Sequence, residues 1–137
     1  MKHIVYNKFI NDILLGSVNL INDDIMCALL KNTYLPSDND ITWDSISSHE
    51  VSGAGYIAGG KLLQNKVIIE GKFFDADNLS WPNSSIDNAR YIVLYNNTAP
   101  TPALIACFDL LKDKSTNNSD FTIEWDVSGI LLLMQGV

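Results

Sequence analysis

Phe121-Thr122-Ile123-Glu124-Trp125-Asp126 alternates apolar with polar residues, and Val127-Ser128-Gly129 separates it from the apolar run Ile130-Leu131-Leu132-Leu133-Met134. Successive side chains of a strand point to opposite faces, so this period of two describes a half-buried strand. The Val-Ser-Gly step predicts a tight reversal, after which a wholly apolar strand returns as the second arm of a hairpin. A domain that closes on such a hairpin is built from sheets. No residue of the hairpin is equipped for chemistry, so the search for function turns to surfaces.

Working outward, Ala103 to Phe108 reads as a buried strand, followed by a solvated loop from Lys112 to Ser119. Ala89 to Tyr95 is apolar on both faces and predicts a central strand. Asn96 to Pro102 is a turn or short loop. Leu79-Ser80-Trp81 reads as a strand stopped by Pro82, which cannot donate to a ladder. Lys66 to Glu70 is a strand, and Gly71 allows a turn into Lys72-Phe73-Phe74, before the turn cluster Asp75-Ala76-Asp77-Asn78. Ile25 to Leu30, short and bounded by Asn22-Asp23-Asp24, fits a central strand. Residues 32–48 are polar and irregular, with Trp43 and Ile46 as anchors, and predict a long excursion loop.

One segment departs from this pattern. Tyr6, Phe9, Ile10, Ile13 and Leu14 share one helical face, with Asn7, Lys8, Asn11 and Asp12 opposite, and Gly16 as a stop. A helix this short is marginal alone, so its stripe must pack on something. The domain's own sheet is favoured over a neighbouring subunit. The expected architecture is mainly β: one antiparallel β-sandwich or jelly-roll-like domain over residues 1–137, with a short N-terminal amphipathic helix at about 4–15 and sheets from about 24 to 135.

Composition narrows the function. A chain of 137 residues can bury roughly 68% of its unfolded surface as one domain. Apolar residues reach 47% and charged residues only 18%, below the usual ~25%. Either a partner covers part of the surface, or Asn, Ser and Thr carry it; composition weighs these equally. The formal net charge is −7, Arg90 is the single arginine, and the lysines are scattered. Direct nucleic-acid binding needs clustered cations and is not expected. No apolar run reaches the ~20 residues of a membrane span, and the N-terminus lacks the apolar core of a signal peptide, so a cytoplasmic site of synthesis is expected. Cys27 and Cys107 lie in apolar runs and read as buried thiols, though two residues leave a disulfide open.

The chemical motifs each fail a requirement. Gly55-Tyr56-Ile57-Ala58-Gly59-Gly60-Lys61 begins like a phosphate-binding loop, but Leu62 stands where Ser or Thr must hold magnesium. Its glycines fit turns or close backbone approach better. His49-Glu50 points to opposite faces of a strand, and His3 has no companion ligand. Asp38, Asp40 and Asp44 lack the glycine and final Glu of a calcium loop, and Asp75, Asp77 and Asn78 read as turn residues. Glu70 and Glu124 form a glycosidase pair only if the fold sets them across a cleft. No serine stands in a nucleophile elbow. No catalytic, cofactor-binding or metal-ligating residue is therefore assigned. Trp125 is in phase with the core, Trp81 beside Pro82 has a packing role, and Trp43 alone lies in a loop free to stack on a sugar.

Several segments taken in order resemble a family of small tailed-bacteriophage virion proteins. They are Ile25-Met26-Cys27-Ala28-Leu29-Leu30, Glu50-Val51-Ser52-Gly53-Ala54-Gly55-Tyr56-Ile57-Ala58-Gly59-Gly60-Lys61, Phe74-Asp75-Ala76-Asp77-Asn78-Leu79-Ser80-Trp81, Ala89-Arg90-Tyr91-Ile92-Val93-Leu94-Tyr95, and Asp120 to Asp126. The resemblance spans nearly the whole chain and specifies lineage better than role. It implies a non-enzymatic capsid decoration (cement) protein of the virion, with the major capsid protein and copies of itself as partners. No cofactor, membrane or small-molecule ligand is implied. A neck, tail, fibre or baseplate component, with carbohydrate binding through Trp43, is the alternative. The expected contact elements are the Tyr6–Leu14 helix, the loop around Trp43 and the 53–60 glycine segment.

Overall fold

The computed structural model describes residues 2–98 and 100–133. Ala99 in the expected turn, and Met134 and Gln135 at the expected end of the last strand, lie outside the described residues. The fold is a β-sandwich-like arrangement of antiparallel strands with one helix near the N-terminus.

Its centre is a five-stranded sheet. In spatial order this holds β1 (Lys2–Val5), β8 (Ala103–Lys114), β7 (Ala89–Asn96), β2 (Ile25–Lys31) and β3 (Lys61–Leu62). The strands expected to be central, β2 and β7, pair with each other inside the sheet, Ala28 opposite Val93. Their apolar character on both faces has a structural cause, because each face is covered. Ile25, Cys27, Leu29, Ile92 and Leu94 enter one core, while Ala28, Leu30, Val93 and Tyr95 enter another on the reverse side. A register shift at Leu94/Tyr95 leaves Ile105 without an opposite number, so Ile105 and Ala106 both turn toward the first core.

Two small sheets cover the first core. One holds β10 (Leu131–Leu132), β5 (Phe73–Asp75) and β4 (Val67–Ile69) in that order, and the other pairs β6 (Leu79–Ser84) with β9 (Ser119–Ile123). Phe74, Leu131, Leu79, Trp81, Phe121 and Ile123 bring the buried faces of these sheets against the central one. The reverse face is sealed by the irregular segment 32–48 through Tyr34, Trp43 and Ile46. That long excursion is therefore a covering layer. It is tied down by backbone bonds from Trp43 N–H to Pro102 and from Leu104 N–H to Ile41, both near 3 Å.

Several expectations are corrected. Residues 121–126 and 130–134 do not form one hairpin: β9 pairs with β6, whereas β10 pairs with β5 in the other small sheet. The reversal itself exists, closed by Gly129 N–H on Asp126 carbonyl at 2.9 Å. Past Gly129, whose Cβ position would lie 2.9 Å from the Phe74 carbonyl, the chain joins β5 instead of returning along β9. Pro82 does not stop its strand, because β6 runs to Ser84 through an irregularity between Trp81 and Ser84 that absorbs the missing donor. The solvated loop begins later than Lys112, since β8 continues to Lys114 against Ala89. Trp125 is half-buried rather than core, resting on Phe108 and donating its indole N–H to the Asp77 carbonyl at 3.1 Å.

The N-terminal helix is also shorter than residues 4–15. Lys2–Val5 instead lies along the β8 edge, with Ile4 opposite Cys107, and the helix α1 covers Asn7–Leu15. Sheet structure thus starts at Lys2 rather than near residue 24. Gly16 ends the helix as expected, with φ 71°. The buried face is rotated from the apolar stripe. Phe9 and Asp12 are buried, and Lys8 Nζ meets the Asp12 carboxylate at 2.8 Å, while Ile10, Leu14 and Leu15 face outward. Tyr6, just before the helix, is held by the sheet, so β1 sets the rotation that the stripe alone would not choose.

Candidate interaction surface

A group of tyrosines and carboxylates holds loops on the sheet. Tyr6 and Tyr34 share a hydroxyl–hydroxyl hydrogen bond of 2.8 Å, and Tyr34 donates to Asp40 at 2.7 Å, pinning the covering layer. Glu50 fastens the glycine segment: its carboxylate accepts from Tyr56 Oη–H at 2.6 Å and from Gly59 N–H at 2.8 Å. The same Tyr56 oxygen accepts from Leu29 N–H at 3.1 Å, linking this clasp to β2. Tyr95 completes it by donating to the Gly59 carbonyl at 2.7 Å. Burial pushes Glu50's proton affinity above the ordinary carboxylate range, and the two donors partly oppose this.

That shift fixes a pH signature. A folded-state pKa above the unfolded one means the native protein holds the proton more tightly. Glu50's contribution to stability is therefore fullest in acid and is lost as pH rises through its folded pKa. Glu50→Gln keeps an acceptor for Tyr56 and Gly59 and removes the ionisation. Its stability relative to the parent should grow from pH 4 to pH 7, measured by urea unfolding at each pH. A difference that shrank over that interval would show that the charged form is the favoured one.

The remaining expected sites resolve as structure. Gly53, Gly55 and Gly60 each lie where a Cβ would strike backbone of Ser85, Ser84 and Cys27 respectively, so the glycine segment serves close approach. Lys61 donates to the Ser80 carbonyl and stands over the Trp81 ring, turned toward protein rather than toward an anion. His49 Nδ1 bonds Thr33 Oγ1 at 2.9 Å, and His3 rests against Phe108. Asp77 accepts from Asn65 and Asn78 from Trp125 N–H, so these residues tie the link between β5 and β6 to distant segments rather than closing a turn of their own. Cys27 and Cys107 are free, buried thiols, and burial pushes Cys107 up to about 12, away from thiolate reactivity. No group of metal-ligating side chains converges among the described residues. No helix among them is long and apolar enough to cross a membrane.

Trp43 does not present a ring to solvent. It is 6% exposed and stacks flat on Tyr95, centroids 4.6 Å apart and planes within 4°. This overturns the reason for reading it as a sugar platform.

The fold also leaves a set of large apolar residues uncovered. Of the three expected contact elements, α1 presents Ile10, Leu14 and Leu15, the 32–48 layer presents Leu35 and Ile41, and the glycine segment presents Ile57. These are loop tips and a helix end, each small. Sequence reasoning missed a fourth element. Val67, Ile68 and Ile69 of β4 are 44%, 42% and 38% exposed, and β4 is the margin of its sheet. On the outward face of that sheet Ile69 lies opposite Phe73, and Phe73 opposite Leu132, forming one exposed or half-exposed apolar row. An apolar run in sequence reads as buried, so nothing local distinguishes this strand from β2.

No family model, curated protein or solved structure matches this chain.

Proposed function

We propose that this chain is a non-enzymatic structural protein that works by covering and joining neighbours. More particularly, it is an auxiliary decoration (cement) protein of a tailed-phage capsid, bound to the major capsid protein and to copies of itself. The observation that carries the structural role is the division of labour among side chains. Tyr34, Asp40, Glu50 and Tyr56 are engaged in loop clasps, while apolar residues of α1, the glycine segment and β4 remain at the surface. Most of these patches are small and separate, but the row on the β4 sheet is continuous, and a continuous exposed apolar row marks an association site. The virion setting is supported by the whole-chain resemblance described above, and the low charge suits a protein with much of its surface covered.

The test is the protein's abundance and effect on purified particles. A shell lattice takes on the order of hundreds of copies, whereas a neck or tail ring takes about six or twelve. Quantitative mass spectrometry is expected to find the former, and particles lacking the protein should lose heat or osmotic resistance. A ring-sized copy number would move the protein to the neck or tail. Intact, stable particles with none bound would overturn the proposal.

A further inference from the structure

We propose that β4 is a self-pairing edge: Val67–Ile69 of one copy adds antiparallel to Val67–Ile69 of a second, joining two three-stranded sheets into one of six. The margin of a sheet exposes unpaired backbone donors and acceptors, and folds usually guard it with proline, charge, bulges or brevity. Of the other margins, β3 and β10 are two residues long, β1 carries Lys2, β6 carries Pro82 and an irregular register, and β9 carries Asp120. β4 has three consecutive apolar residues, each more than a third exposed, and brevity is its only guard.

The sequence around β4 selects a second copy as the occupant. Lys66-Val67-Ile68-Ile69-Glu70 is complementary to its own reversal. With Ile68 facing Ile68 of the second copy across a two-fold axis, Val67 faces Ile69 of that copy, and Lys66, just before the strand, comes beside Glu70 at the start of that copy's turn. Each ion pair then occurs twice, and opposite charges across a strand pair are favourable where like charges are not. Lys66 already donates to the Asp23 carbonyl, which fixes its position, and an ammonium has further donors to offer. Glu70 stands at the head of the tight turn, with φ 53°, and its side chain is exposed. Since the two-fold arrangement consumes both edges, assembly through β4 closes at two copies.

The pairing is short. Three residues at about 3.3 Å each span roughly 10 Å, far below a standard stable interface, so the contact is weak and concentration-dependent in the free protein. This inference does not rest on the virion role and is tested apart from it.

Sedimentation velocity of the full chain over a wide concentration range is expected to show a reversible monomer–dimer equilibrium. Val67→Lys should shift its midpoint at least about tenfold toward monomer, as a charge replaces the contact with Ile69 of the second copy. Within the chain Val67 is opposite Asp75, so the fold accommodates the lysine, which an unchanged thermal melt verifies. Lys66→Glu and Glu70→Lys should each weaken the dimer by opposing like charges, and the double exchange should restore it. A monomer at every concentration, a dimer indifferent to Val67→Lys, or charge exchanges without mutual rescue would each overturn the assignment.

Discussion

Gly60→Ala is expected to destabilise the fold by about 3–5 kcal/mol and lower its melting temperature by roughly 10 °C or more. A Cβ at Gly60 would lie 2.0 Å from the Cys27 carbonyl oxygen and 2.8 Å from the Ala28 Cα. Both neighbours are backbone of β2, an inner strand of the five-stranded sheet, so neither can rotate aside. Gly60 also sits at φ 83°, where an L side chain is strained before any contact is counted. Gly71→Ala is the matched control, because Gly71 has φ 70° but open space around its Cβ position. It should lose only about 1–2 kcal/mol, the conformational part alone. Equal losses at the two positions would mean that the approach of the glycine segment to β2 is looser than the geometry shown. The same comparison gives the glycine spacing of the 55–61 segment a structural reason: the glycines let one backbone lie on another.

Trp43→Ala should cost about 3–5 kcal/mol, in the range of large aromatic deletions from a core. The indole fills the space between the covering segment and Tyr95, and its loss leaves a void beneath a layer with little regular structure to collapse into it. Trp43→Phe keeps a stacked ring and should lose markedly less. Chemical unfolding measures both. If Trp43→Ala left stability within about 1 kcal/mol of the parent while altering binding to a glycan panel, the indole would be a ligand platform. The flat stack on Tyr95 argues for the other outcome. The effect should reach Tyr95, whose hydroxyl holds the Gly59 carbonyl, so the Gly60 and Trp43 substitutions are expected to couple.

Much of the architecture was legible because its signals are local. Ile25–Lys31 and Ala89–Asn96 are apolar at successive positions over strand length, and they occupy the middle of the sheet with both faces covered. Gly16, the turn at Ser128-Gly129 and the Asp75–Asn78 cluster mark boundaries through backbone preferences that each residue carries by itself. The two thiols were readable as buried for the same reason. Errors fell where a partner strand, distant in sequence, chose among local options. The 121–126 strand could fold back on 130–134 or join another strand. Its pairing with β6 was settled by Trp81 and Phe121, which lie opposite each other inside the core. The helix stripe failed similarly: pairing of Lys2–Val5 with β8 set the angle at which α1 meets the sheet, burying Asp12 and releasing Leu14.

The interaction surface divides along the same line. Residue order alone determined that this is a β-rich domain whose inner strands are apolar on both faces, closed by polar turns. Residue order also wrote the self-complementary stretch Lys66–Glu70. Only the tertiary structure decided that Val67–Ile69 stands at a margin while the equally apolar Ile25–Lys31 lies at the centre, and that Trp43 turns inward. The physical reason is that burial belongs to the set of neighbours a segment acquires. Hydrophobicity states how much a residue gains from being covered, and the packing of distant strands decides which residues are covered.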